Sequence, residues 1–66
     1  MKIEYDKEAD AAYIYLEYPI REVKETKEIS ENVIIDLNDK GQIIGLEILD
    51  ASKILSKKVL LEAESA

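Results

Sequence analysis

Apolar and polar positions alternate along much of the chain, in short runs broken by turn-forming residues. Residues 2–5 alternate and read as a short strand. Asp6-Lys7-Glu8-Ala9-Asp10 is a polar break suited to a turn. Residues 11–18 predict a strand with two distinct faces. Ala12, Ile14 and Leu16 fall on one face and Tyr13, Tyr15 and Glu17 on the other, because side chains alternate with period two. Pro19 cannot donate to a ladder and is expected to end that strand. Residues 21–29 mix charges with Val23, Thr26 and Ile29. This pattern suits either an edge strand guarded by charge or an exposed helix. Ser30-Glu31-Asn32 is a turn. Residues 33–37 and 42–49 are the clearest strands, joined by Asn38-Asp39-Lys40-Gly41, where Gly41 can adopt a left-handed conformation. Ile43 and Ile44 are both expected to be buried, which gives this hairpin apolar groups on both faces.

Beyond residue 50 the period changes. Ile54, Leu55, Val59 and Leu60 make an apolar stripe on a helix over residues 52–64, with Asp50 or Ser52 as its cap and Leu61 outside the stripe. Residues 57–62 can alternatively be read as a last strand. The expected fold class is α+β: a small antiparallel sheet of about four strands, followed by one C-terminal helix against one face. Residues 1–66 are expected to form a single domain.

A domain of 66 residues has a marginal core and usually needs a staple. There is no Cys, which rules out a disulfide or a thiolate metal site, and no His, the commonest general base and zinc ligand. Oligomerisation is the staple that remains. Fifteen acids against nine bases give a formal net charge of −6. That sign repels nucleic-acid phosphates and anionic membranes, and it favours a basic protein partner. No run resembles a signal peptide or a spanning helix, so the expected location is cytoplasmic. Abundant Lys, Glu and Ile lean towards a thermophilic source.

Candidate chemistry is sparse. The stretch from Asp36 to Glu47 imitates a calcium-binding EF-hand loop, with acid or amide at positions one and three, Gly at six and Glu at twelve. Lys40 stands at position five, where an oxygen ligand belongs, and the flanks read as strands rather than helices. Asp6, Glu8 and Asp10 could also approach one cation, but Ala11 replaces the glycine that a tight loop needs. No metal ligands, cofactor-binding residues or catalytic residues are expected. Paired carboxylates need a cleft to drive their pKa values apart, and the chain has little volume for one.

Tyr13 and Tyr15 carry more information. They share a strand face whose opposite side is already aliphatic, so one helix leaves them uncovered. The bland reading is second-face packing with hydroxyls reaching water. The sharper one is a homodimer whose interface centres on Tyr13 and Tyr15, with Ile43 or Leu49 nearby.

Two stretches carry a family resemblance. Tyr5-Asp6-Lys7-Glu8-Ala9-Asp10-Ala11-Ala12-Tyr13-Ile14 and Gly45-Leu46-Glu47-Ile48-Leu49-Asp50-Ala51-Ser52 resemble the two signatures of the small prokaryotic family catalogued as domain of unknown function 2283. Leu46 stands where Ile is usual. The resemblance implies a compact fold holding both signatures and no established activity, and it hints at pairing with small toxin-like proteins. The leading expectation is a non-enzymatic protein-interaction module, the acidic, antitoxin-like partner of a small basic protein. The alternative is a small-ligand or metal-binding protein using the acidic turns, and an enzyme comes third.

Overall fold

The computed structural model describes residues 1–65. Its elements in chain order are β1 (Lys2–Asp6), β2 (Ala11–Tyr15), β3 (Glu25–Ser30), β4 (Val33–Leu37), β5 (Ile43–Leu49), α1 (Ala51–Ile54), α2 (Lys57–Glu62) and β6 (Glu64–Ser65). They form one sheet in the order β3-β4-β5-β2-β1-β6. Two hairpins, β1–β2 and β4–β5, supply the middle of it, and β2 joins them by pairing antiparallel with β5. The hairpin β1–β2 closes because Asp6 Oδ1 accepts the backbone N–H of Glu8 and of Ala9, which holds the turn with a local side-chain acceptor. In the β4–β5 turn, Asn38 Oδ1 accepts from Lys40 and Gln42, and Gly41 takes φ +74°.

The strand pairing sorts side chains onto two faces. Ile3 lies opposite Ile14, Tyr5 opposite Ala12, Ala12 opposite Ile48, and Val33 opposite Ile48, so all of these share one face. Both helices pack there. Ala12, Ile48 and Ala51 are buried at the centre, with Tyr5, Ile14, Val33, Leu46, Leu55 and Leu60 against them. Two alanines at this centre let α1 approach β2 closely, and a larger side chain at either would overpack the site. No bulky side chain among the described residues is fully buried, so the core is small.

A polar tie reinforces it. Asp10 accepts from the Tyr5 hydroxyl at 2.6 Å, from the Ser52 N–H at 3.0 Å and from the Ser52 hydroxyl at 2.7 Å, while its own carbonyl accepts from Ala51 N–H. The first turn and the start of α1 are thereby fastened together by one aspartate. The Tyr5 hydrogen bond, then the Ser52 hydroxyl, holds the Asp10 carboxyl below its usual range.

Several expectations are corrected. The sheet has six strands rather than about four, and it is mixed, because the two-residue β6 runs parallel to β1. The single expected helix is two short ones. Leu55 and Ser56 adopt extended backbone between them, and the Ser56 hydroxyl caps α2 by accepting from Val59 N–H at 3.2 Å. The apolar stripe is cut at this point, which leaves Ile54 49% exposed. Asp50 does stand at the start of α1, but with φ +52° and no side-chain capping bond; Ser52 is a donor to Asp10. Residues 57–62 are helical rather than strand. β2 stops at Tyr15, short of Pro19, because the N–H groups of Leu16 and Glu17 both converge on the Ile44 carbonyl and the ladder ends. Residues 25–30 form an edge strand and not a helix. Ile43 is 48% exposed, whereas Ile44 is buried; the register shifts at the step from Asp36 to Leu37, which separates the two. No helix among the described residues is long and apolar enough to cross a membrane.

Candidate functional site

The face of the sheet away from the helices carries Glu4 on β1, Tyr13 and Tyr15 on β2, Glu47 and Leu49 on β5, and Ile34 and Asp36 on β4. Tyr13 lies opposite Glu47, yet its ring does not stay there. It leans across β5, and its hydroxyl donates to Asp36 two strands away. The path crosses Gly45, the residue opposite Tyr15. A β-carbon at position 45 would stand 2.8 Å from Tyr13 Cζ and 2.9 Å from Cε1, inside van der Waals contact. Only a residue without a side chain leaves the ring its place. Thr26 of β3 donates to the other oxygen of Asp36 at 2.7 Å, so that carboxylate bridges β3 and β2.

Tyr15 leans the opposite way, and its hydroxyl donates to Glu4 Oε1 at 2.7 Å. The two rings remain in contact, with centroids 4.7 Å apart and planes at 58°. Tyr18, past the end of β2, stacks edge-on against Tyr15 at 5.1 Å and 87°. The face is therefore a row of three tyrosines whose hydroxyls meet carboxylates or, at Tyr18, the ammonium of Lys2. Burial, then the bond to Asp36, pushes the Tyr13 hydroxyl pKa well up; the bond to Glu4 raises that of Tyr15. Both phenols stay protonated donors at neutral pH. Beside Tyr13 lies a shallow depression of about 180 Å3 whose polar lining is Glu4, Asp6 and Glu47.

The expected interface residues divide. Tyr13, Tyr15 and Leu49 share this face. Ile43 heads β5 opposite Leu37, beyond the register shift, and is not grouped with them by the ladder. Reading by parity found the tyrosines but missed Lys2, Glu4, Asp36, Gly45 and Tyr18. The imitation of a calcium loop is taken up internally: Asp36 serves Tyr13 and Thr26, and Asn38 closes its own turn. Among the described residues, no three His, Cys, Asp or Glu side chains are grouped as a metal ion would require.

The model of the family described as "Protein of unknown function (DUF2283)" matches residues 2–52. That span runs from β1 into α1 and includes the tyrosine row, the Asp10 tie and Gly45. An uncharacterised protein of Methanocaldococcus jannaschii is 36% identical over 56 residues, which is 85% of this chain and 46% of that protein. The chain thus spans about half the length of the relative it matches. No solved structure matches it. With both signatures folded against one another across β1, β2, β5 and α1, the chain belongs to the DUF2283 family of proteins of unknown function.

Proposed function

We propose that this protein is a non-enzymatic interaction module whose working surface is the open tyrosine face and whose partner is a basic protein. The observation that carries the reading is the composition of that face. Three tyrosines in contact offer rigid apolar area, and Glu4, Asp36 and Glu47 among them supply negative charge. Aromatic anchors of this kind dominate protein interfaces, and carboxylates beside them select a cationic partner and speed its approach. The chain's net charge of −6 acts in the same direction at long range. The test is an NMR titration with an arginine- and lysine-rich peptide. Amide shifts confined to Glu4, Tyr13, Tyr15, Glu47 and their neighbours support the reading. Shifts spread equally over the mixed-charge segment 21–31 overturn it.

A second copy of the chain is the other reading, favoured by half-buried Ile34 and Leu49 on the same face. Like carboxylates would oppose each other there, which makes this face a poorer match to itself than to a cation. Light scattering coupled to size exclusion reads the mass directly. A dimer that Tyr15→Glu splits would assign the face to self-association, and a monomer removes that reading.

A further inference from the structure

The open face already holds one cation. The Lys2 ammonium sits 4.3 Å from the centroid of the Tyr18 ring and 5.9 Å from that of Tyr15. It donates to the Tyr18 hydroxyl at 3.1 Å. Glu4 Oε2 lies 3.7 Å away and Glu64 Oε1 3.9 Å. The two rings meet at 87°, so they form a corner with the charge inside it. Aromatic rings attract an ammonium or guanidinium group placed against them, and a carboxylate beside the rings adds to that attraction. Glu4 divides its oxygens accordingly: Oε1 fixes the Tyr15 hydroxyl, and Oε2 faces the cation.

We infer that the corner formed by Tyr15, Tyr18 and Glu4 is a seat for a lysine or arginine side chain of the partner protein, and that Lys2 is the placeholder filling it in the free chain. The inference rests on the proposed function and adds the specific contact to it.

Three features suit Lys2 to being displaced. Its ion pairs are long, at 3.7 and 3.9 Å near the limit of direct contact, so neither carboxylate holds it in a close hydrogen-bonded pair. Lys2 begins β1, and its stem can swing without disturbing the ladder that starts at its own position. Tyr18 is 59% exposed, so the corner is open to an incoming side chain. The displaced ammonium gives up its ring contacts and the hydrogen bond to Tyr18, and water restores its hydration in exchange. An arriving guanidinium gains two rings and a carboxylate already held in place, with little ordering left to do.

The experiment is an NMR titration of the full chain with acetylated tri-arginine amide, with tri-citrulline as the uncharged control of the same shape. Wild type, Lys2→Met, Lys40→Met and the double variant Lys2→Met/Tyr18→Ala are compared. Lys40 is exposed in the β4–β5 turn, so Lys40→Met changes the net charge equally without touching the corner. The expected result is that Lys2→Met binds tri-arginine roughly two- to fivefold more tightly than wild type, the size of one exposed cation–π contact. Lys40→Met gains less, Tyr18→Ala abolishes the gain, and the shifts centre on Tyr15 and Tyr18. Equal gains in Lys2→Met and Lys40→Met overturn the seat and leave the proposed function standing. If no variant prefers tri-arginine to tri-citrulline, the basic-partner reading itself fails, and the seat with it.

Discussion

The phenol ring of Tyr13 lies over Gly45, and it reaches Asp36 only because position 45 has no side chain. Gly45 is buried in mid-strand, where glycine ordinarily weakens a sheet. Here it serves close approach by a neighbouring ring, and the left-handed backbone freedom of glycine plays no part.

Gly45→Ala should therefore destabilise the fold by about 1–3 kcal/mol, the usual cost of forcing extra volume into a packed site. In a domain this small that is a fall in melting temperature of roughly 4–8 °C per kcal/mol. The diagnostic result is coupling. In a Tyr13→Ala background the same substitution should cost much less, because the obstructing ring is gone. Equal costs in both backgrounds, measured by urea unfolding, would show that the ring is not what Gly45 accommodates.

Asp10 sets the acid behaviour. Its carboxyl is held below its usual value by Tyr5 and then Ser52, so the folded chain binds that proton less readily than the unfolded chain. The contribution is present above the unfolded value of about 3.9 and is lost as pH falls through the lower folded value. Asp10→Asn keeps a residue tolerant of the positive φ found there, so the variant isolates the carboxylate. It should be less stable than wild type at neutral pH, and the gap should narrow below about pH 4. A gap independent of pH in urea titrations would place the effect in geometry and not in charge.

The tyrosines set the alkaline behaviour. Tyr5, Tyr13 and Tyr15 all have raised hydroxyl pKa values: Tyr5 through its bond to Asp10, Tyr13 through burial, Tyr15 through its bond to Glu4. Their contribution is intact below the unfolded value of about 10 and is lost as pH rises through the folded values. Stability should fall above about pH 10, and Tyr13→Phe should fall less steeply there than wild type. Parallel alkaline limbs for the two proteins would contradict this.

Ser56→Ala removes the acceptor that starts α2 and should cost about 1 kcal/mol, as N-cap losses do. Since α2 brings Leu60 onto the core, near-neutral melting by circular dichroism should register it.

How much of this was legible in the sequence follows from the range of each interaction. Period-two alternation is local, so β1, β2, β4 and β5 were readable, and the separation of Tyr13 and Tyr15 from Ala12 and Ile14 with them. The break between α1 and α2 was hidden because Ile54, Leu55, Val59 and Leu60 also fit one continuous stripe; the signal was Ser56, a good cap three residues before Val59. β6 is two residues long and has no pattern to read. The end of β2 depends on Ile44, far along the chain. The site was half legible for the same reason. Lys2 stands opposite Tyr15, and Glu4 opposite Tyr13, only in the hairpin register, while Asp36 meets Tyr13 through the pairing of β2 with β5.

The tyrosine row has a practical consequence. The protein has no Trp and no Phe, and three of its four tyrosines touch on the open face. Its near-ultraviolet absorption, emission and dichroism are therefore dominated by that one surface, with Tyr5 alone reporting from the helix side. Stacked phenols bonded to carboxylates are sensitive to small changes in orientation and polarity. A molecule settling on the face should perturb the spectrum directly, so the unlabelled chain is its own optical sensor for occupancy.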